Sequence, residues 1–322
     1  MYSFILNPLK FIDIFNPSVY NDCRHTMRKE MISLSKVKGY VYLVLTFVIW
    51  GSLYVSAKSV MNELSPIIVL ASRYGISVVV LFFIMKKRGF KKTEKKDRFL
   101  LFSVGAVGYF GGIAFQLIGT NLADASLASL INSLNPVLIP IIAVIFLKEK
   151  LNLRIVISII MSIIGIYIIL GVGDSNITLA GVIVNLLSLT LWSASCCIVR
   201  KISAGYDPIQ ITLYAMAIAF GFSLPFAISS AVVSDCTVSL SGIISLLYIA
   251  LVCTALSHVL WNSSLKILNA TTCSLLYPIQ PLTSAVLAIV VLNEEISKEF
   301  VIGAIIICIG ILLAVFGSEK EE

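Results

Sequence analysis

The chain holds two histidines, His25 and His258. No Ser-His-Asp set can be assembled around either, and the seven cysteines show no paired spacing of the kind that holds zinc. A Gly-rich Lys-Ser/Thr loop for nucleotide phosphates is also missing. The groups that stand out chemically are polar or cationic residues set inside long apolar runs: Arg73, Gln116, Asn132, Asn135, His258, Tyr277 and Gln280. In hydrocarbon such groups are costly unless they face protein, water or a solute, so their natural chemistry is binding rather than bond breaking. The acids nearest the apolar runs, Asp124, Glu149 and Glu294, all stand at ends of runs, so no mid-membrane carboxylate relay is legible. No cofactor and no metal is expected, and the chain is not expected to be an enzyme.

Spacing sorts these residues onto faces. Asn132, Asn135 and Pro136 lie three and four apart and share one helix face, as do Tyr277, Gln280 and Pro281. A proline within a span frees a carbonyl from its helical partner, so Pro136 and Pro281 are candidate helix-break or gating positions. The competing reading is that Asn and Gln glue helices together while the prolines bend them. Trp50, Tyr54 and Lys58 recur every four residues, and Trp50 and Trp192 each fall too deep in their runs for an interfacial belt; both read either as pore-lining or as packing residues. Trp261, nearer the end of its run, reads as an interfacial anchor. Arg73 either serves an anionic solute or snorkels to the surface. His258 either binds a solute or proton or is a satisfied structural histidine, and Gln116 is a further pore candidate.

These faces need elements to carry them. Hydrophobic residues make up 58% of the 322 positions and charged residues only 13%, against about a quarter charged in soluble domains. The apolar residues fall into ten runs of bilayer length: 39–57, 66–85, 99–119, 125–147, 155–170, 179–199, 208–228, 242–262, 271–292 and 300–316. Helices are the expected form, since a span must satisfy its own backbone. Of 24 Lys and Arg, 21 fall on one side of this arrangement, with Lys58 and Lys298 opposite and Arg73 within a run. The positive-inside rule then sets both termini in the cytoplasm, and topology accounts for the net charge of +7 without nucleic acid. The block Lys86 to Arg98 also has a reading as a lipid- or phosphate-binding patch. Cys196, Cys197, Cys253, Cys273 and Cys308 all lie inside apolar runs and read as small packing residues. Met27 and Met31 precede a basic stretch and are candidate translation starts.

The chain also repeats itself. At an offset of 142, Gly39, Trp50, Lys58 and Pro66 fall on Gly181, Trp192, Arg200 and Pro208; at 145, Ser129, Pro136, Glu149 and Gly165 fall on Ser274, Pro281, Glu294 and Gly310. Five spans per unit is an odd number, so the second unit enters the membrane inverted. The charges agree, because Lys148, Lys150 and Arg154 align with Asn293, Glu295 and Glu299. Inverted repeats of this kind are the sequence signature of carriers that rock about a midplane site.

Trp50-Gly51-Ser52 with Trp192-Ser193, and the pair Asn135-Pro136 through Lys148-Glu149 and Gln280-Pro281 through Asn293-Glu294, resemble the ten-helix EamA branch of the drug/metabolite transporter superfamily. The resemblance implies an all-α membrane protein: two inverted five-helix repeats around a cavity lined by spans one, three, four, six, eight and nine. It divides the chain into an N-terminal cytoplasmic segment (1–38), repeat 1 (39–171), repeat 2 (172–317) and a short tail (318–322). It implies a multi-pass protein of the plasma membrane, of the bacterial inner membrane type, acting as a monomer or homodimer on a small-molecule substrate, by secondary export of amino acids or similar metabolites. A nucleotide-sugar or sugar-phosphate exchanger has the same body and would need converging cations, of which Arg73, Lys58, Arg200 and Lys266 are available. A membrane enzyme or a non-transporting subunit is the rival from another class. The inverted arrangement predicts that thiol labels at Lys92→Cys and Glu295→Cys react from opposite faces of the membrane; labelling from one face would remove the inverted repeat.

Overall fold

The computed structural model describes residues 34–53, 56, 60, 63–122, 134–148, 153–170, 179–233, 238–292 and 298–318. Among them the regular elements are all helical. They are α1 (Leu34–Leu53), α2 (Pro66–Arg88) and α3, which starts as Lys95–Ser103, passes through a π-helical stretch (Val104–Gly112) and continues as Ile113–Leu122. Next come α4 (Asn135–Leu147), α5 (Leu153–Leu170), α6 (Leu179–Ile202) and α7 (Pro208–Val233). Then α8 follows the pattern of α3: Leu240–Tyr248, a π stretch Ile249–Leu256, and Ser257–Ile267. The last are α9 (Ala270–Leu275), α10 (Ile279–Leu292) and α11 (Lys298–Ser318). Six helices, α1, α2, α3, α6, α7 and α8, are long and apolar enough to cross a membrane, and shorter apolar helical segments cover Asn135–Leu147, Leu153–Gly165 and Val301–Gly310.

Local chemistry explains several boundaries. Pro66 and Pro208 open α2 and α7, where a missing N–H costs nothing. Lys86, Lys87 and Arg88 fill the last turn of α2, complementing the helix dipole, and Gly89 at φ 87° ends it by donating to Met85 O. Asn269 caps α9 by accepting from Thr272 N at 2.7 Å. The ninth apolar run is not one helix. It breaks at Leu276–Pro278, where Pro278 offers no N–H and tight bonds run from Ile279 N to Leu276 O and from Gln280 N to Tyr277 O. Pro281 itself is the third residue of α10, and Pro136 the second of α4.

Polarity is distributed as expected for a hydrocarbon solvent. Phe83, Ile145, Phe146, Phe226, Ile302 and Ile305 are exposed, whereas Thr46, Ser77, Asn185, Ser193, Thr212 and Asn262 are buried completely. An inside-out pattern of this kind arises when polar side chains have no partners outside the bundle. Helices in repeat-equivalent places pack on each other: α2 on α7, and α5 on α11. The second pair crosses at glycines from both halves. A Cβ on Gly165 would stand 2.5 Å from Ile307 Cγ1 and 2.8 Å from Gly303 O, and one on Gly310 would meet Met161 Cβ at 3.1 Å.

Two loop contacts tie the ends of the bundle. On the basic side, the Gln210 amide and the Lys91 backbone exchange bonds of 3.1 and 2.7 Å, Tyr206 donates to Asp97 Oδ2 at 2.7 Å, and Arg88 pairs with Asp207 at 3.3 Å. At the other side, Glu63 accepts from the Ser239 hydroxyl and backbone N–H at 2.6 and 2.7 Å, while Ser239 Oγ caps α8 by accepting from Gly242 N. The Ser239 hydroxyl, and then its N–H, hold the Glu63 carboxyl below the usual carboxylate range.

Gly165→Ala must displace a backbone carbonyl, so it should cost about 1–3 kcal/mol, whereas a Cβ on Gly221 in α7 meets nothing within 4 Å and Gly221→Ala should be neutral or gain up to about 1 kcal/mol. Thermal unfolding of both variants in one detergent checks this, and equal melting temperatures would refute the tight crossing. Because the Glu63 carboxyl is depressed on folding, its contribution is present above the unfolded-state pKa and lost as pH falls through the folded value. The stability gap between the native chain and Glu63→Gln should therefore be present at neutral pH and close in acid; a gap that widens in acid would contradict the contact.

Candidate functional site

Both π stretches lie in the middle of long helices and begin 145 residues apart, at Val104 and Ile249. That is the repeat offset. A π turn takes some carbonyls out of the ordinary helical ladder, and α2 supplies hydroxyls to them. Tyr74 donates to Tyr109 O at 2.9 Å and Ser77 reaches Ala250 O at 2.8 Å. Thr254 bonds within its own stretch, donating to Ile249 O, which leaves its oxygen to accept from Arg73 Nε at 2.7 Å. The α2 helix thus holds both irregular stretches in place. Close approach of α3 to α6 is possible because Gly108 faces Ser195 with no room for a Cβ.

Seven rings converge on the space bounded by α1, α3, α6, α8 and the turn after α9. Trp50 of α1 meets Trp192 of α6 at 6.2 Å between centroids, edge to face, and His258 of α8 at 5.2 Å. Tyr109 of α3 stands 5.6 Å from Trp192 and 5.2 Å from His258. Phe47, Trp261 and Tyr277 close the cluster, with Phe47 4.7 Å from Tyr277 and Trp261 5.5 Å from it. Each such pair is worth about 0.5–1.5 kcal/mol beyond its buried area, so the cluster holds the two halves of the chain together. The indole N–H groups are directed: Trp50 Nε1 donates to Ser257 Oγ at 2.8 Å, and Trp192 Nε1 to the Tyr277 hydroxyl.

Polar chemistry enters along α8. His258 Nδ1 lies 2.8 Å from Thr254 O; a carbonyl only accepts, so Nδ1 carries the proton in the neutral ring and Nε2 keeps its lone pair as an acceptor. Arg73 reaches the same helix one turn away through Thr254, and among the described residues no carboxylate forms an ion pair with it. Asn262 Nδ2 joins Tyr109 OH and Thr212 Oγ1 at 3.2 and 2.8 Å. The arrangement can offer aromatic faces, an imidazole acceptor and a guanidinium to a small solute. No group of three His, Cys, Asp or Glu that could hold a metal occurs among the described residues.

The structure brings Trp50, Trp192, His258 and Tyr277 into one cluster and sets Arg73 beside it. Asn135 is buried at the start of α4, Gln280 is half-buried at the start of α10, and Gln116 is half-buried seven residues beyond Tyr109 on α3. Tyr54, Lys58 and Asn132 lie outside the described residues. Trp261 is a correction: it is 1% exposed and packed among Phe47, Trp50 and Tyr277, not an interfacial anchor, because α8 continues to Ile267 and leaves this position well inside. Of the cations that a phosphate would need, Arg200 donates to Leu265 O and Lys266 O, and Lys266 to Tyr206 O. Tyr109, Phe47, Ser257 and Tyr74 went unnoticed in the sequence. Tyr109 stood in the run Gly105-Ala106-Val107-Gly108-Tyr109, where the glycines mark a close helix contact.

The EamA-like transporter family matches this chain twice, over residues 37–171 and 179–316. An uncharacterized transporter of Archaeoglobus fulgidus is 25% identical over 86% of this chain and 96% of its own. A Salmonella typhimurium protein named "Probable amino-acid metabolite efflux pump" is 24% identical over 88% of this chain and 96% of its own. A solved crystal structure superimposes with a TM-score of 0.76 at 18% identity, covering 90% of this chain and 99% of that one, a likeness of fold. With both matches together spanning most of its length, the chain is a member of the EamA-like transporter family and a multi-pass membrane protein.

Proposed function

We propose that the protein is a secondary carrier that exports amino acids or related small metabolites by alternating access. In this reading the chain crosses the plasma membrane ten times, as two inverted five-helix halves (39–171 and 172–317), with both termini on the basic, cytoplasmic side. The observation that carries it is the meeting of Trp50 and Trp192 at 6.2 Å. These residues hold equivalent positions in the repeat, and equivalent positions touch where a pseudo-two-fold axis passes, which is where inverted-repeat carriers place their solute. The name of the Salmonella relative supports an amino-acid metabolite as cargo.

The solute carboxylate would dock on Arg73, its N–H or O–H on His258 Nε2, and its apolar part against the indole rings. The break at Leu276–Pro278, together with the proline-started α4 and α10, gives α9 and α10 a place to hinge as access changes sides. Pro136 and Pro281 then act as gating positions, and Asn135 and Gln280 line the path from opposite halves.

Purified protein in liposomes should move amino acids and not phosphate esters; the reverse preference would overturn the cargo. Asn135→Leu and Gln280→Leu should each lower transport about tenfold, equivalent to roughly 1.4 kcal/mol of barrier, while insertion and melting temperature stay within a few degrees. Arg73→Gln should raise KM for a carboxylate-bearing substrate far more than Arg73→Lys does. Unchanged transport in Asn135→Leu, Gln280→Leu and Arg73→Gln would remove the site.

A further inference from the structure

Away from the aromatic cluster, a groove of about 420 Å³ opens between α3 and α7, lined by Thr93, Arg98, Leu101, Phe102, Tyr214, Ala217 and Ile218. Its size falls in the range of small-ligand sites. Arg98, Leu101 and Phe102 stand at i, i+3 and i+4 on α3, and Tyr214, Ala217 and Ile218 do so on α7, so each helix turns one face into the groove. Further along α3, Gly105 packs on Ile218 and Ala215 O with no space for a side chain, so the two helices lie close there.

The groove is polar at one end and apolar along the rest. Arg98 and Thr93 stand at its basic mouth. Beyond them Phe102, 48% exposed, begins a ladder of rings, Phe102 to Phe222 at 6.1 Å, Phe222 to Phe110 at 5.5 Å and Phe110 to Phe226 at 6.0 Å. The acids of the mouth are already engaged: Glu94 pairs with Lys96 at 2.9 Å and Asp97 accepts from Tyr206. Lys91 is turned to Gly205 O and Arg88 to Asp207. Among the described residues Lys92, Lys95 and Arg98 make no ion pair, which leaves net positive charge where the groove meets the headgroup layer.

We infer that this groove is a binding site for an anionic phospholipid, with the phosphate on Arg98 and Thr93 and an acyl chain lying along Leu101, Phe102, Ala217 and Ile218. A guanidinium takes a phosphate bidentately, and a mouth with surplus positive charge favours an anionic over a zwitterionic headgroup. Such a lipid bridges α3 to α7, the same helices whose inner faces support the aromatic cluster and α2.

Native mass spectrometry of the purified protein, titrated with phosphatidylglycerol or with phosphatidylcholine of identical chains, tests this. Phosphatidylglycerol should be retained at least about fivefold better. Arg98→Gln should bring its retention down to the phosphatidylcholine level and Arg98→Lys should keep most of it. Ala217→Phe, which fills the slot, should lower binding of the anionic lipid. Equal retention of the two lipids, undiminished phosphatidylglycerol binding in Arg98→Gln or Ala217→Phe, or displacement of the lipid by equimolar glycerol 3-phosphate would each overturn the site.

Discussion

A helix bundle in hydrocarbon has no water to complete its hydrogen bonds, so every backbone polar group within the spans must find a partner inside. Here that requirement centres on α2. The π stretches of α3 and α8 disturb the helical ladder at mid-membrane, and the hydroxyls of Tyr74 and Ser77 reach a carbonyl in each. The same helix sends Arg73 to Thr254. An irregular backbone is tolerable at this depth only because a neighbouring helix carries the matching donors at the right turns.

That irregularity shapes the aromatic cluster. A regular α8 would place Thr254, Ser257 and His258 at other angles about its axis, away from α1 and α2. With the π stretch in place, Ser257 receives the Trp50 indole and His258 turns one nitrogen to Thr254 O and keeps the other as an acceptor. Tyr109, on the matching stretch of α3, meets both Trp192 and His258. Side chains from several helices are thus held by packing, the condition that the proposed solute site requires.

The outer layer is organised by a different rule. Helices that face lipid gain nothing from hydrophobic association, so they approach where side chains are small. Gly165 and Gly310 let α5 and α11 cross, and Gly105 lets α3 lie against α7. The first of these contacts joins repeat-equivalent helices, and both help to form a frame around the polar interior. At the two ends, the loops close the frame through Gln210 with Lys91 and through Glu63 with Ser239.

The sequence alone determined the helical class, the approximate bounds of the long helices, the repeat and the family, because these rest on composition, run length and spacing that hydrocarbon imposes directly. It also singled out Trp50, Trp192, His258, Tyr277 and Arg73, since a large ring or a polar group deep in an apolar run is conspicuous by itself. Only the tertiary structure decided which of them meet. Tyr109 and Ser257 are ordinary in the sequence and gain their place only because α3 and α8 pass through π stretches, and Trp261 is interior only because α8 runs on to Ile267. Which face a residue presents depends on backbone phase, and a single π turn shifts that phase in a way that no periodicity of apolar residues records.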